Sequence, residues 1–326
     1  MIKLDEYDKK ILRYLDSNSR ISATKLSHII KLPKETINYR INKLLKDRVI
    51  EYFFTLINAS VIGYEYSNIF LKIDKITKQK ENELILFLTK QNNCSNIRVL
   101  EGNYNISFLT IYKTKIELEN ILEQLFNQFG KIIIRKNINV VTNSHKLNSG
   151  RFLEQSEEKF FQHIKEENKI DDIDISIIGL LLTDARASMT SLAKEINQDP
   201  VKLTYRRKRL ESKGIIIGYS IKLNLENIGY QKIQLDISLS NYSSKRNIIE
   251  FFRSKGMCVF AYEMIGDFDL DLELIVKDIV ELREVMDEFK EKYSADFKEY
   301  ELSQIYKECS STWAPFSKER LGKNTC

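Results

Sequence analysis

"IDDIDISIIGLLLTDARASMTSLAKEINQDPVKLTYRRKRLESKGII" (residues 170–216) is the stretch that decides how the chain is read. Ile173, Ile177, Ile178 and Leu181 recur at helical spacing behind Asp171-Asp172, which suit a helix start. Ser188 is a good N-cap for a second short helix carrying Leu192 and Ile196. The turn Asn197-Gln198-Asp199 precedes Pro200, which suits the first position of a third helix, and Gly214 ends that helix. Ile215-Ile216-Ile217 and the residues around Ile221 and Leu223 read as two short strands. Three helices followed by a small β-wing predict a winged helix-turn-helix.

The same text occurs once before. "LDEYDKKILRYLDSNSRISATKLSHIIKLPKETINYRINKLLKDRVI" (4–50) aligns with it without a gap at an offset of 166. Asp5 matches Asp171, Asp8 matches Asp174, Arg20 matches Arg186, Ser22 matches Ser188, and Tyr39-Arg40 matches Tyr205-Arg206. Downstream, "GNYN" from Gly102 meets "GDFD" from Gly266 at an offset of 164. The chain is therefore a tandem duplication of a large unit, not a short-period solenoid.

The rest of each unit alternates strand and helix. In the second, "QKIQLDIS", "SKRNIIEFFRSKG", "CVFAYEMIG", "FDLDLELIV", "VELREVMDEFKEKY" and "FKEYELSQIY" read βαββαβ, and the first repeats the order from "NIFLKID" to "KIIIRKNINVV". That order is ferredoxin-like, with two helices covering one face of an antiparallel sheet. The expected class is α+β: winged helix-turn-helix at 1–64, ferredoxin-like domain at 65–145, helical linker at 146–169, then the same pair at 170–230 and 231–310 and a tail at 311–326.

Composition bounds the function. Of 326 residues 43% are hydrophobic and 30% charged, an ordinary globular balance, and the net charge of +5 is too small to argue for nucleic acid by itself. The four cysteines are widely spaced with no CxxC pair, which fits neither a zinc site nor a disulfide framework. No apolar stretch approaches the roughly 18 residues that span a bilayer, and "MIKLDEYDKK" lacks the apolar centre of a signal peptide. The expectation is a cytoplasmic protein without membrane contact, metal or cofactor.

A winged helix-turn-helix followed by βαββαβ resembles the leucine-responsive/AsnC (feast/famine) family of transcription regulators. "LDEYDKKIL", "IDDIDISII", "LTYRRKRLESKGIIIGYS" and the pair "GNYN"/"GDFD" carry the resemblance, over nearly the whole chain and twice. The second unit fits better. The first has Arg48 where the second supplies Gly214, "EYF" for "GYS", and Asn105 for Asp269. The resemblance implies binding to promoter DNA and sheet-to-sheet pairing of the ferredoxin-like domains. It also implies a small effector such as an amino acid, which places Gly266, Asp267 and Asp269 at an effector site, with further homo-oligomers.

Turned on a helical wheel, the third helix of each unit has an apolar stripe (Ile37, Ile41, Leu44; Leu203, Leu210) and an outward polar arc. The candidate contacts to double-stranded DNA are Lys34, Thr36, Tyr39, Arg40 and Lys43 in the first copy. In the second they are Lys202, Thr204, Tyr205, Arg206, Lys208 and Arg209. Arg207 falls near the inward edge, opposite Ile41, where an acidic neighbour or a phosphate would meet it. A solvated charged face is the bland alternative. The run's position on a third helix, aromatic and polar residues between the charges, and its repetition favour DNA. Two readers in one chain imply two half-sites.

Asp267, Asp269, Asp271 and Glu273 alternate with Phe268, Leu270, Leu272 and Leu274, so the carboxylates share one sheet face. If the two sheets pair, Lys72, Arg98 and Lys136 of the first unit would oppose them; a solvated open face is the other reading. The linker's Phe152, Leu153, Phe160, Phe161 and Ile164 allow one amphipathic helix. His28, His145 and His163 are scattered and read as satisfied side chains rather than ligands.

The leading function is a sequence-specific DNA-binding regulator, built as a pseudo-dimer. Two rivals stand beside it. One is a decarboxylase of sirohaem-type tetrapyrroles, which a fused two-copy form of this fold also resembles, but "VIEYFFTL" and "IIIGYSIK" stand where its Arg-Arg-Ile-Gly-like stretch is expected. The other is a co-regulator that binds only protein.

Overall fold

The computed structural model of the chain describes residues 2–74, 77–147, 153 and 157–310. The first unit runs α1 (Glu6–Ser17), α2 (Ala23–Ile30), α3 (Lys34–Lys46), β1 (Ile50–Ile57), β2 (Glu65–Ile73), α4 (Lys78–Lys90), β3 (Cys94–Glu101), β4 (Ile106–Tyr112), α5 (Lys115–Phe129) and β5 (Ile133–Lys146). A short β6 (Lys159–Gln162) follows. The second unit runs α6 (Asp172–Thr183), α7 (Met189–Glu195), α8 (Pro200–Ser212), β7 (Ile216–Leu223), β8 (Gln231–Leu239), α9 (Lys245–Ser254), β9 (Cys258–Ile265), β10 (Leu270–Val276), α10 (Ile279–Tyr293) and β11 (Phe297–Ser310). The bounds of all five strands repeat between units, at an offset of 166 for β1/β7 and β2/β8 and 164 for the rest.

Local chemistry sets the helix starts. Asp5 with Asp8, and Asp171 with Asp174, form reciprocal capping boxes at α1 and α6. Ser22 and Ser188 cap α2 and α7, and Asp199 caps α8 ahead of Pro200. Gly214 leaves α8 in the left-handed region at φ 66°. Its counterpart Arg48 is held there at φ 53°, a conformation that costs a side-chain-bearing residue about 1–2 kcal/mol.

The wing departs from the sequence reading. Each unit supplies one uninterrupted strand rather than two short ones, because no turn interrupts 216–223. β1 and β7 pair with each other, antiparallel, with Phe54 opposite its own counterpart Ser220. The ribbon is also exchanged. Ile57 of β1 packs with Ile177, Leu181, Leu203 and Leu210 of the second helical trio, while Ile221 and Leu223 of β7 pack with Ile11, Leu15 and Ile37 of the first.

The ferredoxin-like strands form one ring, in the order β2-β4-β3-β11-β8-β10-β9-β5, closed by pairing of β5 with β2. The long strands join the halves. β5 pairs with β2 from Ile133 to Val140 and with β9 from Val140 to Lys146. β11 pairs with β8 from Phe297 to Gln304 and with β3 from Gln304 to Ser310. One core lies beneath α4 and α5, another beneath α9 and α10. The inner faces of the two halves of the ring meet between them, Asn68 reaching Asp271 and Arg98 reaching Glu273.

The helical linker is corrected: Lys159–Gln162 is a strand that pairs antiparallel with Asn143–Lys146 of β5. Phe160 is exposed and Phe161 buried, a period of two rather than 3.6. The physical reason is the edge of β5, which would otherwise offer unpaired backbone groups. The tail 311–326 lies outside the described residues. Among the described residues no helix is long and apolar enough to cross a membrane.

Candidate nucleic-acid interface and the seam between units

The third helices present their polar arcs outward. Lys34, Tyr39, Lys43, Lys202, Tyr205 and Lys208 are exposed, with Tyr39 at 68% and Tyr205 at 71%. The two exposed rings stand at counterpart positions of α3 and α8. Thr36 is half-buried, and the Thr204 hydroxyl donates back to the Pro200 carbonyl at 2.8 Å.

The arginines are placed differently from the sequence expectation. Arg40 lies 2.7 Å from both Asp5 and Asp8, and Arg206 lies 2.7 Å from Asp171 and 3.0 Å from Asp174. Arg209 also pairs with Asp174. These guanidiniums bind the capping-box carboxylates of the first helix, so they brace the third helix against it. Arg206 holds the Asp171 carboxyl below its ordinary range through that hydrogen bond. Arg207 reaches the acidic neighbour expected of it, Glu211.

The acidic strand is not solvated. Asp269, Asp271 and Glu273 are buried and only Asp267 is exposed, while Leu270, Leu272 and Leu274 enter the helix-side core. Arg98 of the first unit, 2% exposed, donates to Glu273 at 2.7 Å and to Gln234 at 3.3 Å, and lies 3.9 Å from Asp271 and Glu308. Asn68 donates to Asp271 at 2.6 Å. Lys72 and Lys136 do not take part: Lys72 donates to the Gly102 carbonyl, and Lys136 sits over the Phe126 ring. The further cations come from the second unit, Lys222 at 2.6 Å from Glu308 and Lys232 at 3.4 Å from Glu273. Asp236 stands directly opposite Asp271 in the β8–β10 register. Burial pushes Asp271 up to about 6, and burial together with Asp271 pushes Asp236 well above the carboxylate range. Nothing in the sequence marked Lys222, Lys232 or Asp236, because their neighbours come from strands far away in the chain.

The glycine turns interlock with the opposite unit. A Cβ on Gly266 would lie 2.2 Å from the Asn139 Oδ1 atom, and one on Gly102 would lie 2.4 Å from the Ser303 Oγ atom. Asn139 and Ser303 are counterparts at the offset of 164. Asn139 also accepts from the Phe268 N–H at 3.0 Å. Asp269 accepts from the Leu239 N–H at 2.7 Å, and Asn105 performs the same task for Ile73 at 2.8 Å. The proposed effector residues Gly266 and Asp269 are therefore committed to packing and to a backbone hydrogen bond. The change to Asn105 preserves that bond.

Two of the three histidines have side-chain partners, although the His163 Nδ1 atom is buried without one among the described residues, and His28 is exposed. His145 lies 2.9 Å from Glu263, and His163 lies 2.7 Å from the Ser144 hydroxyl and packs against the Tyr66 ring. Burial lowers His163 to about 4. Sequence reasoning missed one buried bridge: Asp16 of α1 accepts from Lys146 of β5 and from Ser220 of β7, both at 2.9 Å.

Comparison with known proteins fits this architecture. A family model described as winged helix-turn-helix DNA-binding matches residues 4–51 and again 170–217. An uncharacterised HTH-type transcriptional regulator of Pyrococcus abyssi is 36% identical over 104 residues, 31% of this chain and 69% of its own. Another, of Pyrococcus furiosus, is 32% identical over 129 residues, 40% of this chain and 84% of its own. Among solved structures, the siroheme decarboxylase NirDL in complex with an iron-uroporphyrin III analogue covers 96% of this chain and 95% of its own at a TM-score of 0.65. At 13% identity that likeness is one of fold. The paired reading helices and the matched relatives define a DNA-binding transcriptional regulator of the winged helix-turn-helix class. The chain belongs to the leucine-responsive/AsnC (feast/famine) family, with the family's unit written twice.

Proposed function

We propose that one chain grips an operator as a built-in pseudo-dimer, with α3 and α8 entering the major groove at two half-sites. The observation that carries this is the ribbon in which Phe54 meets Ser220. It relates the two helical trios by a local two-fold, the symmetry that a pair of half-sites demands. The exposed Tyr39 and Tyr205, with Lys34, Lys43, Lys202 and Lys208 around them, supply base-edge and phosphate contacts. Thr36 and Thr204 flank them. Arg40, Arg206 and Arg209 hold the reading helices in place, and any phosphate they meet is shared with Asp5, Asp8, Asp171 or Asp174.

The test is DNA retardation with single variants. Tyr205→Ala and Lys208→Ala should weaken binding with the melting temperature unchanged, Tyr205→Ala by about 1–3 kcal/mol if the ring touches a base. Arg206→Ala should lower the melting temperature as well. The affinity of the intact chain should fall steeply with salt. Binding that ignores both salt and the Tyr205→Ala change refutes the proposal.

A further inference from the structure

We infer that the outer edge of β11, from Tyr306 to Ser310, is a docking site for an extended segment of a partner protein, taken up as one more antiparallel strand. The segment carries a cation toward each end and an apolar residue between them. The inference goes beyond the operator reading and does not depend on it.

The first unit shows the equivalent groove filled. β5 pairs with β9 on one side from Val140 to Lys146, and on its other side Asn143–Lys146 pair with β6. The segment that supplies β6 runs on past the strand. The His163 N–H donates to the Thr142 carbonyl at 2.9 Å, the Glu166 N–H to the Ser60 carbonyl at 2.9 Å, and the Asn168 N–H to the Val61 carbonyl at 3.0 Å. The Asn58 side chain donates to the Gln162 carbonyl at 3.3 Å. Lys159–Asn168 thus closes both the sheet edge and the connection that follows β1.

The second unit has the same edge. β11 is the counterpart of β5 at the offset of 164, and it pairs with β3 from Gln304 to Ser310 as β5 pairs with β9. Its pairing with β8 stops at Gln304. Among the described residues no strand follows on that side. Alternate residues of a strand turn their backbone groups the same way, so Tyr306 and Glu308 offer theirs to the groove as Thr142 and Ser144 do. A cavity of about 200 Å³ lies along this edge, walled also by Leu223, Asn224, Leu225 and Glu226 after β7. Tyr306 is 60% exposed. Asn224 stands where Asn58 does, and its side-chain oxygen accepts from the Asn227 N–H at 3.0 Å. Its amide group, the donor that holds the added strand in the first unit, has no acceptor among the described residues. An open sheet edge is a template for strand addition, in which backbone groups give affinity and side chains give specificity.

The side chains define the segment. In the filled groove Ile217 lines the same cavity as Lys159, and Ser60 receives Glu166. The counterparts of Ile217 and Ser60 are Glu51 and Glu226, both exposed and both lining the second groove. Cations therefore belong in the places of Lys159 and Glu166. Between those places Phe161 is buried opposite Ser144. Leu223, Leu225 and Ile305 give the second groove a buried apolar wall for a residue there. The edge belongs to the sheet and not to α3 or α8, so the partner can be held while DNA is read.

The test uses the full chain and three synthetic peptides. One copies Lys159–Asn168. A second carries Glu166→Lys and Glu167→Lys in that sequence. A third is the second with a methyl group on the backbone nitrogen at His163. Calorimetry gives the affinity, and amide hydrogen exchange gives the place. The second peptide should bind at least about fivefold more tightly than the first. The methyl group should cost about tenfold, because it removes the N–H that would meet the Tyr306 carbonyl. Glu226→Lys in the protein, a change at an exposed residue, should invert the preference between the first two peptides. Binding should slow exchange at Tyr306 and Glu308 and leave Asn143–Lys146 unchanged. Absence of binding by every peptide overturns the inference, as does equal binding of the first two, binding that ignores the methyl group, or protection at other amides. Two further results would overturn it by naming another occupant. Binding seen only when the chain is cut after Ser310 would give the groove to the chain's own tail. A concentration-dependent dimer that slows the same two amides without peptide would give it to a second copy.

Discussion

Replacing Arg98 with methionine keeps the volume of the side chain and removes its charge from the middle of the molecule. The guanidinium is 2% exposed, donates to Glu273 and Gln234, and has Asp271 and Glu308 within 3.9 Å. Its loss leaves Glu273 with Lys232 at 3.4 Å as its remaining cation and leaves Asp271 with Asn68 alone. Breaking one side of a buried pair costs about 3–5 kcal/mol, a large part of the about 5–15 kcal/mol that holds a typical domain. Urea unfolding followed by circular dichroism measures this at neutral pH. The double change of Arg98→Met with Glu273→Gln should recover at least about half of the loss, because no bare carboxylate then stays buried. The sign with pH is also fixed. Arg98 lowers the Asp271 carboxyl, which burial holds at about 6. Without Arg98 that folded-state pKa rises further above the unfolded value, so the penalty is present at neutral pH and shrinks as pH falls through 6. A cost below about 1 kcal/mol, the range of an exposed pair, would refute the idea that this cluster joins the units.

Two other outcomes follow from the same seam. Gly266→Ala should cost about 1–3 kcal/mol from overpacking. Pairing it with Asn139→Ala should recover only part, since the Ile138 carbonyl still lies 2.9 Å from the added carbon; full recovery would show that the backbone approach is unimportant. His163 has a folded pKa of about 4 against an unfolded value of 6.5, so its contribution is complete above 6.5 and is lost as pH falls toward 4. The limit is about 3 kcal/mol. A His163→Gln variant should lose stability less steeply across that window, and an identical slope would contradict the assignment.

Much of this fold was legible in the residues. Capping carboxylates, Ser188, Pro200 and Gly214 act locally, and the duplication allowed each element to be read twice. The wing was misread because its pairing partner is 166 residues away: nothing in Ile216–Leu223 says that the neighbour is β1 rather than a second strand of the same unit. The linker strand was missed for the same reason, its form being dictated by the edge of β5. Arg98, Lys72 and Lys136 were named together as partners of the acidic ladder from their charge, and only Arg98 reaches it. Lys136 lies on the helix-covered face, over the Phe126 ring, and Lys72 points to the Gly102 carbonyl, so face and register and not sign decide which cation meets Glu273. Arg40 and Arg206 lie on the helix expected of them, but paired with carboxylates of α1 and α6. A wheel gives direction from the axis but cannot show that α1 and α6 bring carboxylates to those positions.

The buried charge cluster sits at counterpart positions that differ: Arg98 corresponds to Tyr262, Asp271 to Ser107 and Glu273 to Leu109. When two separate identical chains meet about an axis, every substitution is made twice, once on each side. An arginine introduced into such an interface arrives as two arginines, and an acidic ladder as two ladders facing each other. Joining the copies in one chain removes that doubling. The interior can then hold one arginine, with no second copy facing it, against one set of acids, and the two third helices can diverge in sequence. On the function proposed above, such a protein would suit operators whose two halves differ, and it would need no dimerisation step before binding.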